Sequence, residues 1–485
     1  MPDQLAFQSA KALAARIRRG TITSEALLDL YIARMEKYNP RINAIVATDL
    51  KAARKRARAA DKALAKGEIW GPLHGVPMTL KESFDVVGMP TTWGLSELKD
   101  NFPERNAVAV DRLLRAGAVL FGKTNVPVML ADWQTFNEIY GTTNNPWDLT
   151  KVPGGSSGGA AAALAAGLTG LEIGSDIGAS IRDPAHYCGL FGHKPTFGIC
   201  ATNGQALPGR VSEQDITVIG PLARSAADLE LALRIISGPD DIDERGWRLA
   251  LPTARKKSLR EFKVAVMLNA ETAEVDRSVQ ERVQGVADFL AKCKAKVSDT
   301  ARPDIDTAKA HYVFIQLVRS ATSRAQTDEV FARNLAAAGR LSADDQGYRA
   351  WMLRGNTMFH RDWLQWNEER HQMRLKWDAF FQQYDLLICP GAATAAFPHN
   401  QKGERWERMV TVNGRPQPST TQMFWAGFSG MAYLPSAVAP AGFTPQGLPV
   451  GVQIIGPQYG DLTCLRFAQL LEREYQGFVP PPGFD

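Results

Sequence analysis

Cysteine is scarce. Five in 485 residues, Cys188, Cys200, Cys293, Cys389 and Cys464, are an odd number with no C-x-x-C pair. They give no disulfide framework and no zinc cluster, and they fit a reducing compartment. Charge of one sign is also scarce: 56 Lys and Arg against 51 Asp and Glu leave a formal +5, too little over this length for a nucleic-acid surface. The densest basic patch, Lys51 to Arg58 (KAARKRAR), has helical spacing without interleaved aromatics and reads as a solvated helix face. The longest near-apolar run, Ala160 to Ile173, is too short and too Gly-broken to span a bilayer. The opening MPDQLAFQSAK lacks the basic-then-apolar pattern of a secretion signal. There is no internal repeat and no low-complexity segment. The expectation is a cytoplasmic protein with neither a membrane nor a nucleic-acid partner.

A hydrophobic fraction of 45% with 22% charged residues is that of an ordinary globular chain. Its length predicts one large domain or two intimately packed ones. Thr23 is a plausible N-cap for a helix carrying Leu27, Leu28, Tyr31, Ile32 and Met35 on one face, ended by Asn39-Pro40. Residues 9 to 66 read as helical throughout, with an Ala- and Lys/Arg-rich second helix running to Gly67. From Gly71 short apolar runs alternate with Gly and Pro. Val76–Leu80 is strand-like and directly precedes Lys81. Ala118 to Pro127 repeats the strand-then-turn pattern behind an amphipathic helix near Val110–Ala116. Further strands are expected at Ile216–Leu222, Lys263–Leu268 and Asp385–Cys389, and a closing helix at Leu462–Tyr475. Helix and strand signals alternating in this way predict a mixed α/β sheet covered by helices. Residues 270 to 382 look helical and gather Trp351, Met352, Met358, Phe359, Trp363, Trp366 and Trp377, a stripe that reads first as core and second as a substrate-covering wall.

The chemistry concentrates in Gly154 to Arg182, GGSSGGAAAALAAGLTGLEIGSDIGASIR. Ser156 and Ser180 sit on two separate Gly-rich turns. Such turns bring backbone N–H groups close to a ligand, because Gly has no Cβ and tolerates positive φ. A serine nucleophile needs a base. The seven histidines (74, 186, 193, 311, 360, 371, 399) form no constellation, and His186 and His193, close behind Ser180, read as core residues. A buried lysine can serve instead, since desolvation disfavours its ammonium form, and Lys81 follows an apolar strand. Gly155-Ser156-Ser157-Gly158-Gly159 also fits G-x-S-x-G, a nucleophile elbow with Ser157 as nucleophile, but the preceding NNPWDLTKVP reads as loop rather than strand. No Gly-Lys-Ser/Thr follows the glycines, so a phosphate-binding loop is excluded. Neither a cofactor nor a metal is expected.

HGVPMTLKESFDVVGMPTTWG, FGKTNVP, YGTTNNPWD, PGGSSGG, GSDIGASIRDPAHYCGLFGHKPT, GPLARSAADL and GLPVGVQIIGP, in this order, resemble the blocks of the amidase signature family of Ser-Ser-Lys hydrolases. The resemblance implies an α/β fold with a large twisted mixed sheet covered by helices on both faces. It also implies a single domain over 1–485: N-terminal helices over 1–67, a core over 68–250 and 421–485, and a variable helical covering section over 251–420. Within the family's pattern Ser180 is the acyl-forming nucleophile and Ser156, cis-bonded to Gly155, the bridging serine. Lys81 is the base, and the N–H groups of Ile177, Gly178, Ala179 and Ser180 form the oxyanion hole. Ser157, Asp176 and Arg182 would hold the turns together. Two departures stand out. Ala179 occupies a usual Gly position and would be strained at positive φ, and Glu82 stands where Asp is common. The implied activity is hydrolysis of amides, with aryl or bulky apolar amides, carbamates and esters as candidate substrates. The family also contains an amidotransferase subunit that delivers ammonia within a complex, and a homodimer is plausible here.

Overall fold

The computed structural model describes residues 2–484. Thr23 caps the helix Ser24–Ile42, its hydroxyl accepting the Ala26 N–H at 3.1 Å. The helix does not stop at Asn39-Pro40. Pro40 in the final turn forfeits a single backbone bond, while buried Tyr38 and Ile42 hold that turn against the core. The end comes at Asn43, left-handed at φ 52°, and Asn39 Oδ1 accepts the N–H groups of Ala44 and Ile45 at 2.8 and 2.9 Å. The chain then turns into β1 (Ile45–Thr48), a strand inside the stretch read as helical. Its partner comes from far along the sequence, which no local pattern discloses. In the helix Leu50–Ala65 one face of alanines is buried, while Arg54 and Arg58 of the basic patch pair with Asp29 and Glu25.

β2 (Pro77–Lys81) and β3 (Val119–Thr124) join β1 in a small sheet of order β1-β3-β2, followed by the hairpin β4 (Phe136–Asn137) and β5 (Gly141–Thr142). The main sheet takes β6 (Glu172–Asp176), β7 (Phe191–Lys194), β8 (Val218–Ala223), β9 (Lys263–Val266), β10 (Lys296–Ser298) and β11 (Leu386–Pro390). After a second hairpin, β12 (Met409–Val412) and β13 (Arg415–Pro418), it adds β14 (Ser436–Phe443) and β15 (Pro449–Ile455). Its order is β10-β9-β11-β15-β14-β7-β8-β6. β9 runs parallel to β10 and β11, and the remaining pairs are antiparallel, so the sheet is mixed.

The two-residue period of a strand distributes its side chains between two cores. Leu386 and Ile388 of β11 enter a core with the helices Ala226–Ile236, Arg277–Lys292 and Asp461–Glu474. Leu387 and Cys389 enter another, with Thr307–Ser323, His360–Phe381 and Met423–Gly430. Helices therefore cover both faces. The section expected to be purely helical, 270–382, includes the edge strand β10. The apolar run after the serine loop is the wholly buried helix Gly158–Ala165, and among the described residues no helix is long and apolar enough to cross a membrane.

Candidate active site

Three elements converge on one cavity of about 1310 Å³. Lys81 ends β2, Ser156 lies in the loop before the helix Gly158–Ala165, and Ser180 lies in the turn between β6 and the helix Arg182–Cys188. Ser156 and Ser180 both line the cavity, whereas Lys81 is fully buried behind them. Lys81 Nζ donates to Ser156 Oγ at 2.7 Å and to Ser175 Oγ at 3.0 Å. Burial drives the Lys81 ammonium down to about 7, against the opposing pull of Asp176 and Asp183. A sizeable neutral fraction follows at neutral pH. Among the described residues the hydroxyls of Ser156 and Ser180 make no hydrogen bond to each other; the two turns are joined instead by the Ser157 N–H donating to the Ser180 carbonyl at 3.2 Å. The Gly155–Ser156 peptide bond is cis. Neither glycine before the serine can carry a side chain: a Cβ on Gly155 would lie 2.3 Å from the Asp132 carbonyl, and one on Gly154 would lie 2.6 Å from Pro184 Cα.

Asp176 organises the second turn. Its Oδ1 accepts the Ala179 N–H at 2.9 Å and Arg182 Nη2 at 2.8 Å, and its Oδ2 accepts the Ile181 N–H at 3.1 Å and Arg182 Nε at 3.0 Å. Burial alone would raise this carboxyl, but the Arg182 guanidinium, together with Lys194 and the Ile181 N–H, holds Asp176 below its ordinary range. Arg182 Nη1 then donates to the Ala426 carbonyl, Ser429 Oγ and Gln453 Oε1, tying the turn to a distant helix and to β15. With Ala179 engaged, three of the four expected oxyanion donors, the N–H groups of Ile177, Gly178 and Ser180, have no acceptor among the described residues. Ala179 does stand at positive φ, 75°.

Sequence reasoning passed over three further groups. Ser175 sits in the midst of the GSDIGAS motif and shares the Lys81 ammonium. Gln205 donates to Ser175 Oγ at 3.2 Å and to Ser83 Oγ at 3.3 Å from a loop with no recognisable pattern. Trp133 donates its indole N–H to the Gly178 carbonyl at 2.7 Å, bracing the turn that carries Ser180. The aromatic stripe divides: Trp377 is core, Met358 and Trp363 line the cavity, and Phe359 is 73% exposed. The two histidines behind Ser180 are structural. His186 accepts the Gly451 N–H and donates to the Thr394 carbonyl, and His193 faces Asp461 at 3.0 Å. Ser157 is fully buried, and among the described residues no strand leads into its turn and its hydroxyl reaches only the Ser175 carbonyl, at 3.4 Å; the elbow geometry is not formed. Among the described residues no group of three His, Cys, Asp or Glu side chains could hold a metal.

The Amidase family model matches residues 26–465, which takes in every element of this site. The chain belongs to the amidase signature family. It is an amide-hydrolysing enzyme. Similar proteins include the indoleacetamide hydrolase of Bradyrhizobium diazoefficiens, 33% identical over 96% of this chain and 86% of that one. The acylamidase of Rhodococcus erythropolis is 32% identical over 97% and 96%. A glutamyl-tRNA(Gln) amidotransferase subunit of Moorella thermoacetica is 32% identical over 99% of each chain. A bacterial aryl acylamidase structure superposes with a TM-score of 0.81 at 24% identity, over 97% of this chain and 96% of its own. The enzyme therefore shares that fold.

Proposed function

We propose that the enzyme hydrolyses aryl and bulky apolar amides through an acyl-enzyme formed on Ser180. The observation that carries this reading is the buried Lys81 amine, 2.7 Å from Ser156 Oγ in the cavity that Ser180 also lines. Neutral Lys81 takes the Ser156 proton as Ser156 takes that of Ser180, whose oxygen attacks the carbonyl carbon. The N–H groups of Ile177, Gly178 and Ser180 stabilise the oxyanion, each such donor being worth roughly 2.7–4 kcal/mol of barrier. The proton returns through Ser156 to the leaving nitrogen as the C–N bond breaks, because an amide anion leaves poorly. Water then enters by the same relay, releasing the acid and restoring Ser180. The serine-to-serine contact forms as substrate binds; such bonds are commonly loose without substrate.

Trp133, Trp363, Met129, Met358 and Met423 along the cavity favour a large apolar or aromatic group, and the indoleacetamide hydrolase and acylamidase among the relatives agree with it. Aryl carbamates and the matching esters present the same carbonyl to Ser180 and belong to the same proposal. The section over 251–420 is assigned the role of covering the substrate. The similarity to amidotransferase subunits supports a second reading, a component of a larger complex; activity of the isolated chain would decide against it.

Release of 4-nitroaniline from short acyl 4-nitroanilides tests the proposal. The natural chain is expected to release it, and Ser180→Ala and Lys81→Ala to lose the rate about 10³-fold or more. Release that survives Ser180→Ala would overturn the assignment.

A further inference from the structure

Arg319, near the end of the helix Thr307–Ser323, and Arg405, in the short helical turn Arg405–Glu407, line the same cavity as Ser156 and Ser180. Both guanidiniums donate to a single acceptor, the Tyr348 phenol oxygen: Arg405 at 3.5 Å and Arg319 in a short contact. Arg319 also lies over the Tyr348 ring, 5.6 Å from its centre, and Arg405 donates to the Ala131 carbonyl. Among the described residues neither arginine meets a carboxylate, and the buried Arg319 Nε has no partner.

Two neighbouring arginines are matched by carboxylates: Arg370 with Asp215 at 2.9 Å, and Arg408 with Asp132 at 2.5 Å. Those two pairings engage the partly buried carboxylates that line the cavity, leaving Glu213 on an exposed loop. Arg210 and Arg324 add two more cations, whose partners among the described residues are the Arg324 carbonyl and Ser212 Oγ. One phenol cannot neutralise two guanidiniums, and a desolvated cation without a counter-charge is costly. A concave wall with this excess focuses positive potential on whatever enters.

We propose that Arg319 and Arg405 form a subsite for a carboxylate carried by the substrate apart from its scissile amide, with Tyr348 the positioning residue that fixes the two guanidiniums. The substrate class narrows to amides that combine an apolar or aryl body with an acidic group. A planar guanidinium fork matches a carboxylate by paired N–H donors, and two forks held by one phenol are preorganised for it. The inference rests on Ser180 acting in this cavity.

The test uses matched pairs differing only in charge: N-glutaryl-4-nitroanilide against N-pentanoyl-4-nitroanilide, and 4-acetamidobenzoate against acetanilide. At least one acid is expected to exceed its neutral partner about tenfold or more in kcat/KM. That ratio falls toward one in Arg319→Gln and in Arg405→Gln, and Arg405→Glu shifts preference toward the cationic 4-aminobutyryl-4-nitroanilide. Calorimetry with Ser180→Ala gives a readout independent of turnover: both acids are titrated, with and without Arg319→Gln, and binding is expected to weaken about tenfold or more when the arginine is lost. Arg405→Gln replaces Arg319→Gln if the latter does not fold. Parity within both pairs, or acid binding indifferent to both arginines, overturns the subsite. Ser180-dependent cleavage of the neutral amides without acid preference overturns the subsite alone and leaves the hydrolase reading in place. Arginine-dependent acid binding with no amide cleaved upholds the subsite and overturns the hydrolase reading.

Discussion

On the Ser180 side of the cavity the polar groups are tied into a dense buried network, while on the side built from residues 318–363 the hydrogen bonds are part-buried or exposed and apolar side chains pack toward the cavity. Asp176 takes four N–H donors, Arg182 reaches four partner residues, and Lys81 is clasped between Ser156 and Ser175, all with almost no solvent. Met358 faces the same space from the loop before the helix His360–Phe381, His360 and Trp363 face it from that helix, and the neighbouring helix Asp328–Ala338 buries no residue fully. The contrast separates two tasks. Chemistry requires reacting atoms fixed within fractions of an ångström, whereas recognition of an apolar group tolerates repacking. Substitutions on the two sides should therefore fail in different ways.

The largest effect is expected on the networked side. Lys81→Ala should abolish turnover while a melting curve still reports a folded protein, since the change removes a desolvated cation. Asp176→Asn strips the partner from buried Arg182 and is expected to cost about 3–5 kcal/mol, read as a fall in the denaturant midpoint. If it behaved like a surface substitution, the two sides would not differ as described. Next in size is the pH dependence. Lys81 must be neutral to act, and its folded value is depressed to about 7, so kcat/KM should rise about tenfold per pH unit below that value and level off above it. A profile flat from pH 5 to 8 would remove Lys81 as the base. On the packed side, Trp363→Ala should raise KM for aryl amides about tenfold with kcat changed far less, the signature of lost uniform binding. An equal fall in kcat would place that side in the chemistry. Smallest is Ala179→Gly. At φ 75° the methyl is disfavoured by roughly 1 kcal/mol, and glycine's greater unfolded-state entropy offsets part of the gain. Stability is expected to rise by less than about 1 kcal/mol.

Much of this was legible along the chain because its signals are local. Thr23 caps its helix since the hydroxyl is three residues from the N–H it satisfies, and β2, β3 and β11 follow short apolar runs. The serine turns and Lys81 are marked by Gly-rich and strand-end patterns that keep their form wherever the chain takes them. Two local readings failed for physical reasons: Pro40 stays helical because buried neighbours hold the turn, and β1 forms because β3 lies beside it.

Residue order alone was enough for the family and the mixed α/β character, and it singled out Ser156, Ser180 and Lys81 as candidates, because each reading rests on residues close together or on blocks in fixed succession. Folding in three dimensions supplied the rest. It buried Lys81 deeply enough to lower its ammonium, brought Gln205 and Trp133 to the site from unpatterned loops, and divided the aromatic stripe between core and cavity. It also set Arg319 and Arg405 against one phenol, with no carboxylate in reach among the described residues. Burial, charge matching and wall composition are sums over residues distant in sequence, and they acquire values only when the chain has closed on itself.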